Sequence, residues 1–392
     1  MKSEETGSKR QTQNTNLGPR KGNAVAIAFD IVDHDDLDLL KIERLGLFRL
    51  SVPSALPDSD LLECPGWTLF SFDFPSQQVI FIDVGPGQDL SSAPFSYLAQ
   101  VEHGRRIATL DYAAFIALAA RIAVRATFVQ LFNIGHCGST LLHHVFNRAP
   151  GAWSISEPSF LFDLAMKRDD FGTEELRALI SAGLKFLTKF DGADTAEVIV
   201  VKHFSQSMTI LEQVYRAMPE AVCFFMYRDA ESWCNSFYHF LQRDGVPNPE
   251  NLADRTFLWW IASGDTPVAA LDGIIDLSDN SVKIQHIMAA NWAQQLLCFR
   301  KAQGAGVPMV PLRYNELNGD RAGELGKVFD HCGIPRPAIP AALAAFSQDA
   351  HAGSATAGTI KADDLTAESY ATIRRILALP NLNLPGDTIL TM

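Results

Sequence analysis

The stretch from Thr127 to Asn147, TFVQLFNIGHCGSTLLHHVFN, limits what this chain can fold into more than any other. An apolar run ends in a turn holding Gly135 and Gly138, and the hydroxyl pair Ser139 and Thr140 then opens a helical pattern. A strand, a tight loop and a helix in that order leave the N–H groups of the first helical turn without partners inside the helix. The helix dipole adds partial positive charge at the same place. Glycine lets the backbone approach an anion closely, and serine and threonine add hydroxyl donors. The same grammar also serves an ordinary strand-to-helix connection, so the rest of the chain has to decide between a plain turn and a phosphate cradle.

Around that stretch the chain of 392 residues divides into three parts. Residues 1–23 are polar, rich in Gln, Asn, Ser, Lys and Arg, and lack the apolar core of a signal peptide; they read as a disordered tail. Residues 24–110 carry short strand-like runs, among them Ala24–Asp30, Trp67–Phe74 and Val79–Val84, punctuated by Pro and Gly. Ser96–Gln100 and Arg105–Leu110 read as a hairpin, which completes a small, mostly antiparallel β module. From residue 111 to 392, helical patterns at Asp111–Val124, Thr173–Phe190 and Met208–Met218 alternate with apolar runs at Glu197–Lys202, Ala221–Tyr227 and Pro308–Tyr314. That alternation predicts an α/β domain whose parallel sheet is flanked by helices on both faces. Trp259 and Trp260 read as helix core.

Several functions are disfavoured at once. A net charge of −12 argues against a general nucleic-acid or anionic-membrane surface. The most apolar window, Ile107–Phe132, is interrupted by Asp111, Arg121 and Arg125, so no membrane span is expected and a cytoplasmic location is. Six scattered cysteines without a CxxC pair read as reduced, mostly buried thiols. His136, Cys137, His143 and His144 fit no standard zinc spacing, and no metal is expected.

Chemistry-bearing residues recur where strands end. The loop Gly135–Leu141 follows one strand, and Lys202 closes Val200–Val201. Arg228 follows Ala221–Tyr227, with Ser236 eight residues later, and Arg313–Tyr314 leads to Leu317. In this order the four places resemble the sulfotransferase family, P-loop-related enzymes that use 3′-phosphoadenylyl sulfate (PAPS), over about residues 126–317. The resemblance implies a three-layer, P-loop-type α/β fold for 111–392. It also implies that Gly135, His136, Cys137, Gly138, Ser139, Thr140 and Leu141 form the 5′-phosphosulfate loop. Arg228 and Ser236 would then hold the 3′-phosphate, Tyr314 would lie beside the nucleotide, and Lys202 would lie near the sulfuryl group. PAPS would be the co-substrate, and a small molecule or glycan would supply the acceptor hydroxyl or amine. Physical chemistry agrees, since PAPS carries two separated anionic groups and an arginine fork suits one of them.

Two residues compete to remove the acceptor's proton. Glu157 stands about one residue from where tyrosylprotein-type relatives carry a catalytic Glu. His203 follows Lys202 directly, whereas cytosolic members place a His two residues after the Lys. Neighbours on a strand face opposite sides, so Lys202 and His203 are not expected to reach one site together, which favours Glu157. The chain departs from the family at His136, where most members have Lys or Arg. Its imidazole is partly charged near neutral pH, and bound phosphate favours the imidazolium. The family's C-terminal Arg-Lys-Gly segment is absent, and the Ser347–Thr359 loop is expected to replace it. Two other readings remain open: a P-loop kinase, although Ser139 rather than Lys follows Gly138, and a nucleotide-binding protein of the same fold without catalysis.

Overall fold

Two sheets organise the chain. The computed structural model describes residues 25–36, 43–243, 283–350, 363–380 and 382–391. The tail expected over 1–23, the Trp259–Trp260 pair and most of the Ser347–Thr359 loop lie outside the described residues.

The first sheet is antiparallel. Its strands are β1 (Val25–His34), β2 (Phe48–Leu50), β3 (Ser54–Pro57), β4 (Trp67–Asp73), β5 (Gln78–Asp83) and β6 (Arg106–Asp111). The order is β2-β1-β6-β5-β4, with β3 also pairing β1. A short helix α1 (Asp58–Glu63) links β3 to β4. The hairpin expected from Ser96–Gln100 and Arg105–Leu110 does not form. Ser96–His103 is helix α2, and β6 pairs instead with β1 and β5, placing Thr109 opposite both Ile27 and Ile80. Ser96, Tyr97, Gln100 and Val101 are all buried, which is a helical stripe rather than an alternation. The Gln100 amide also donates to Thr68 Oγ1 (2.9 Å) and the Leu69 carbonyl (3.0 Å), which fixes the helix over β4.

The second sheet is wholly parallel. It contains β7 (Thr127–Asn133), β8 (Ala152–Ser156), β9 (Val198–Lys202), β10 (Val222–Tyr227) and β11 (Met309–Arg313), in the order β11-β10-β7-β9-β8. Every residue of β9 is buried, as its β-branched sequence predicts for a strand covered on both faces. The chain starts this sheet at β7, fills one side with β8 and β9, then crosses to β10 and β11. β7 is therefore the topological switch point, where open α/β sheets bind ligands outside the carboxyl ends of their strands.

Helices α3 (Tyr112–Ala119), α4 (Ser139–Asn147), α5 (Ser159–Met166), α6 (Thr173–Leu187), α7 (Leu211–Ala217) and α8 (Ala230–Arg243) connect and cover the strands. α3 is shorter than the Asp111–Val124 pattern, and Asp111 caps it by accepting from Ala114 N–H at 2.9 Å. Met208–Met218 is split into a 3-10 turn over Ser205–Ile210 followed by α7. Phe81 of β5, Phe115 of α3 and Phe186 of α6 pack ring on ring, at 5.9 Å for the first two and 5.1–5.2 Å for each with Phe186, so the antiparallel sheet shares its core with the helices. No described helix is long and apolar enough to cross a membrane.

One ion pair ties the β module to α5. Arg44 Nη2 lies 2.9 Å from Asp163 Oδ1 with both side chains fully buried, and Ser71 Oγ donates to Asp163 Oδ2 at 2.5 Å. Burial pushes the Asp163 carboxyl up, while Arg44 and the Ser71 hydroxyl oppose the shift. Removing one member of a buried pair strands the other charge, which costs about 3–5 kcal/mol, whereas an apolar pair of similar volume is often neutral. Asp163→Ala is therefore expected to lower unfolding free energy by about that amount in urea titration, and Arg44→Met with Asp163→Leu by much less. A single-variant loss below about 1 kcal/mol would rule out this role for the pair.

Candidate functional site

The carboxyl ends of all five parallel strands gather the residues singled out in the sequence. β7 runs into Ile134 and the loop Gly135–Gly138, and α4 begins at Ser139. Gly135 and Gly138 sit at φ +70° and +86°, the left-handed region that glycine enters without strain. Gly138 is the N-cap of α4 and brings no side-chain cap, so the first-turn N–H groups look outward for acceptors. A Cβ on Gly138 would lie 2.6 Å from the Tyr314 ring, so Tyr314 covers the loop closely. Asn133 Oδ1 accepts from Gly135 N–H at 2.8 Å, and the Trp233 indole donates to the carbonyls of Ile134 (3.2 Å) and Gly135 (2.9 Å). Ser139 and Thr140 are buried and Leu141 is half-buried. The Cys137 thiol is buried, donates to the Met226 carbonyl, and is pushed up to about 11 by burial; it is a packing group. His136 holds φ +44° and packs on the rings of Phe237 (5.2 Å) and Phe240 (4.8 Å) of α8.

Arg228 follows β10, and its guanidinium lies over the Tyr314 ring at 4.8 Å. Its Nε donates to Ser232 Oγ at 3.0 Å, one helical turn before Ser236. Arg228 and Ser236 border one cavity of about 450 Å³ on α8. Sequence reading singled out Ser236 of α8 but not Ser232, the hydroxyl that Arg228 meets. The Asp229 carboxylate is taken by Arg313 (Nη2 at 2.5 Å, Nε at 3.1 Å) and by Asn315, tying the ends of β10 and β11 together.

On the other side of β7, Lys202 ends β9 opposite Ser156 of β8, and Glu157 is the next residue. Lys202 Nζ donates to Glu157 Oε1, and Glu157 N–H donates back to the Lys202 carbonyl at 2.7 Å. Lys202 is 2% exposed and Glu157 15%. Burial raises the Glu157 carboxyl's affinity for its proton, while the Lys202 charge and hydrogen bond pull the other way. Pro158 follows Glu157 and disfavours the right-handed helix there, and Glu157 takes φ +55°, outside the extended region as well. Two of the four described non-glycine residues with positive φ are His136 and Glu157, and such strain concentrates at functional sites. Two aromatic residues at the start of α2 reach the same place. The Phe95 ring lies 5.5 Å from Lys202 Nζ, and Tyr97 packs on Phe204 at 5.3 Å. Burial, then the Glu157 charge, raise the Tyr97 phenol. Neither residue was singled out in the sequence; Tyr97 falls in the Ser96–Gln100 segment read as a strand, and Phe95 directly precedes it.

His203 points elsewhere. It is fully buried, stacks on Phe132 at 4.2 Å and bonds Gln130 Oε1 through Nε2 at 2.7 Å. Burial lowers its imidazole to about 3, so it is neutral and sealed in the core. His143 is likewise buried, with Nδ1 bonded to Ser154 Oγ at 2.8 Å, and His144 bonds the Ala350 carbonyl at 3.0 Å. No group of three or more His, Cys, Asp or Glu arranged to hold a metal ion occurs among the described residues.

No protein-family model matches the chain, and no curated protein matches it. Solved structures do. A sulfotransferase from Alicyclobacillus acidocaldarius is 15% identical, with 67% of this chain and 94% of that one covered at a TM-score of 0.40. A mouse sulfotransferase complexed with PAP is 12% identical, with 67% and 87% covered at 0.36. A sulfotransferase from Mycobacterium avium is 13% identical, with 69% and 80% covered at 0.37.

Two outcomes follow from this geometry. Gly138→Ala places a methyl against Tyr314 at a backbone angle that L residues avoid, at a cost of about 1–3 kcal/mol. Its melting temperature should fall, and restoration by adding Tyr314→Ala would identify the ring as the cause. His203 is neutral when folded but binds a proton near pH ~6.5 when unfolded, so stability is lost as pH falls below ~6.5 and goes on falling toward the folded value. Between pH 7 and 5 the unfolding free energy should drop about 2 kcal/mol more in the wild type than in His203→Gln. Equal pH profiles would show that His203 titrates freely.

Proposed function

We propose that the chain is a sulfotransferase that moves a sulfuryl group from PAPS to an acceptor hydroxyl or amine by in-line displacement. The observation that carries this reading is the meeting of three features at one sheet edge. The glycine loop after β7 and the Arg228–Ser236 cavity after β10 offer two separate anion sites. The Lys202–Glu157 pair at the ends of β9 and β8 stands on the opposite side of the loop.

The residues fit such a donor. Backbone N–H groups of 136–141 with the Ser139 and Thr140 hydroxyls would hold the 5′-phosphosulfate, and Arg228, Ser232 and Ser236 the 3′-phosphate. Tyr314, already packed over Gly138 and under Arg228, would lie beside the nucleotide. When bound, PAPS supplies an activated sulfuryl group whose leaving group is a phosphate oxygen. Glu157 takes the acceptor's proton as the acceptor oxygen bonds to sulfur, and its burial-raised proton affinity suits that task. The Lys202 ammonium and the first turn of α4 stabilise the charge that collects on the departing oxygen. A small-molecule or glycan acceptor would enter on the Glu157 side. With His203 sealed away, Glu157 is the base assigned here.

A second reading, nucleotide binding without transfer, is favoured by one observation: His136, standing where the family carries a Lys or Arg, packs on Phe237 and Phe240. Binding and transfer have to be measured separately. Thermal shift should show stabilisation by 3′,5′-ADP and not by ATP or GTP; the reverse order would sink the sulfotransferase reading in favour of a kinase. Arg228→Ala should weaken 3′,5′-ADP binding by tenfold or more, since a hydrogen bond to a charged group contributes about 1.5–3 kcal/mol. Glu157→Gln should abolish transfer from labelled PAPS to pooled acceptors while leaving 3′,5′-ADP affinity intact. Wild-type binding without any transfer would leave the second reading.

A further inference from the structure

The α8 face that borders the Arg228 cavity carries more donors than the resemblance accounts for. Ser232, Asn235, Ser236 and His239 recur at i, i+3, i+4 and i+7, which places them on one stripe, and all four line the cavity of about 450 Å³. Two of these donors converge on a single acceptor. Asn235 Nδ2 donates to Asp364 Oδ1 at 2.7 Å, and His239 Nε2 lies 2.9 Å from the same oxygen. Both contacts hold the Asp364 carboxyl below its ordinary range.

We propose that Asn235 and His239 belong to the 3′-phosphate half of the nucleotide site, and that the Asp364 carboxylate holds their donors as an internal stand-in which a ribose phosphate monoester displaces. The inference rests on the PAPS reading and extends it to residues that the family's Arg and Ser motif does not include.

The surrounding bonds allow the exchange with little backbone movement. Residues 363–365 are clamped to α8 apart from the carboxylate. Gln242 accepts from Asp363 N–H (3.1 Å) and donates to its carbonyl (2.9 Å), and Asn235 Oδ1 accepts from Leu365 N–H (2.9 Å). The Asp364 side chain itself is 74% exposed, so a rotamer change removes it and leaves the donors in place. Asp364 itself borders the neighbouring cavity, and the charged side chains that line the Arg228 cavity have partners of their own. Glu231 is tied to Arg374 at 2.6 Å, and Arg228 is held over Tyr314. Once Asp364 leaves, the stripe offers an arginine, two hydroxyls, an amide and an imidazole, and a phosphate has three oxygens to meet them. A nucleotide lacking the 3′-phosphate gains nothing from that exchange and leaves Asp364 where it is.

The test is calorimetric titration of the full chain with 3′,5′-ADP and with 5′-AMP, which lacks the 3′-phosphate. Asp364→Asn keeps the shape of the side chain and removes its charge; it should bind 3′,5′-ADP about tenfold tighter and 5′-AMP as the wild type does. His239→Leu should weaken 3′,5′-ADP about tenfold and leave 5′-AMP unchanged, with unaltered circular dichroism showing that it folds. If Arg228→Ala loses 3′,5′-ADP while Asp364→Asn and His239→Leu match the wild type, the inference falls and the PAPS reading stands. If Asp364→Asn weakens binding, Asp364 is a clasp of the C-terminal segment and the inference also falls. If the wild type does not prefer 3′,5′-ADP over 5′-AMP, the PAPS reading itself fails and takes the inference with it.

Discussion

A lysine ammonium can end a buried strand only if an anion meets it there, and the Lys202–Glu157 pair is the contact on which this sheet edge depends. The register that sets Ser156 opposite Lys202 brings Glu157 one residue past the end of β8. Its N–H then extends the ladder by one bond to the Lys202 carbonyl, and the left-handed turn at Glu157 lets its carboxylate meet the ammonium. Either charge alone would face a desolvation penalty of several kcal/mol, so the two strand ends are locked to one another. The same pairing leaves a partly exposed carboxylate beside a cation, a combination that suits proton removal next to a centre of developing negative charge.

The opposite half of the edge is held by main-chain carbonyls and indoles. Trp233 of α8 reaches two carbonyls of the glycine loop, and the Trp292 indole donates to the Arg228 carbonyl at 2.8 Å. A buried indole N–H needs an acceptor, and here each one fixes backbone that carries a site residue. With those carbonyls committed inward, the loop is held in its left-handed turns and α4 starts without a side-chain cap. The geometry of the glycine loop is thus set by what holds its backbone still.

The sequence exposed the parallel half of the molecule well. The β-branched run at Val198–Lys202 and the apolar run at Val222–Tyr227 are strands, buried but for Val222, and the glycines at 135 and 138 both take positive φ. It exposed the antiparallel half less well, because Ser96–Gln100 holds residues of both strand and helix character; the choice was made by Gln100 finding two acceptors on β4, a tertiary fact. Within the candidate site, Arg228 and Ser236 were singled out through the family resemblance, and both border the same cavity. Helical periodicity alone puts Ser232, Asn235 and His239 on the same face of α8. Asp364 could not be placed with them in this way, since 125 residues separate it from His239 and only the packing of the C-terminal segment joins them.

The β module is bound into the site rather than appended to it. Asn147 at the end of α4 donates to the Ser91 carbonyl at 2.7 Å, the buried Arg44–Asp163 pair anchors α5, the Phe95 ring lies against Lys202, and Tyr97 is close enough to Glu157 to feel its charge. On the proposed reading, the two anion sites lie on the parallel sheet, where the motifs are, and concern only the donor. The acceptor would then approach Glu157 past aromatic side chains carried by a segment outside the span of the family resemblance. Donor recognition and acceptor recognition would then be written in different parts of the chain. The motifs could be read without disclosing the acceptor, and changes at Phe95 and Tyr97 would alter its choice while leaving nucleotide affinity as it was.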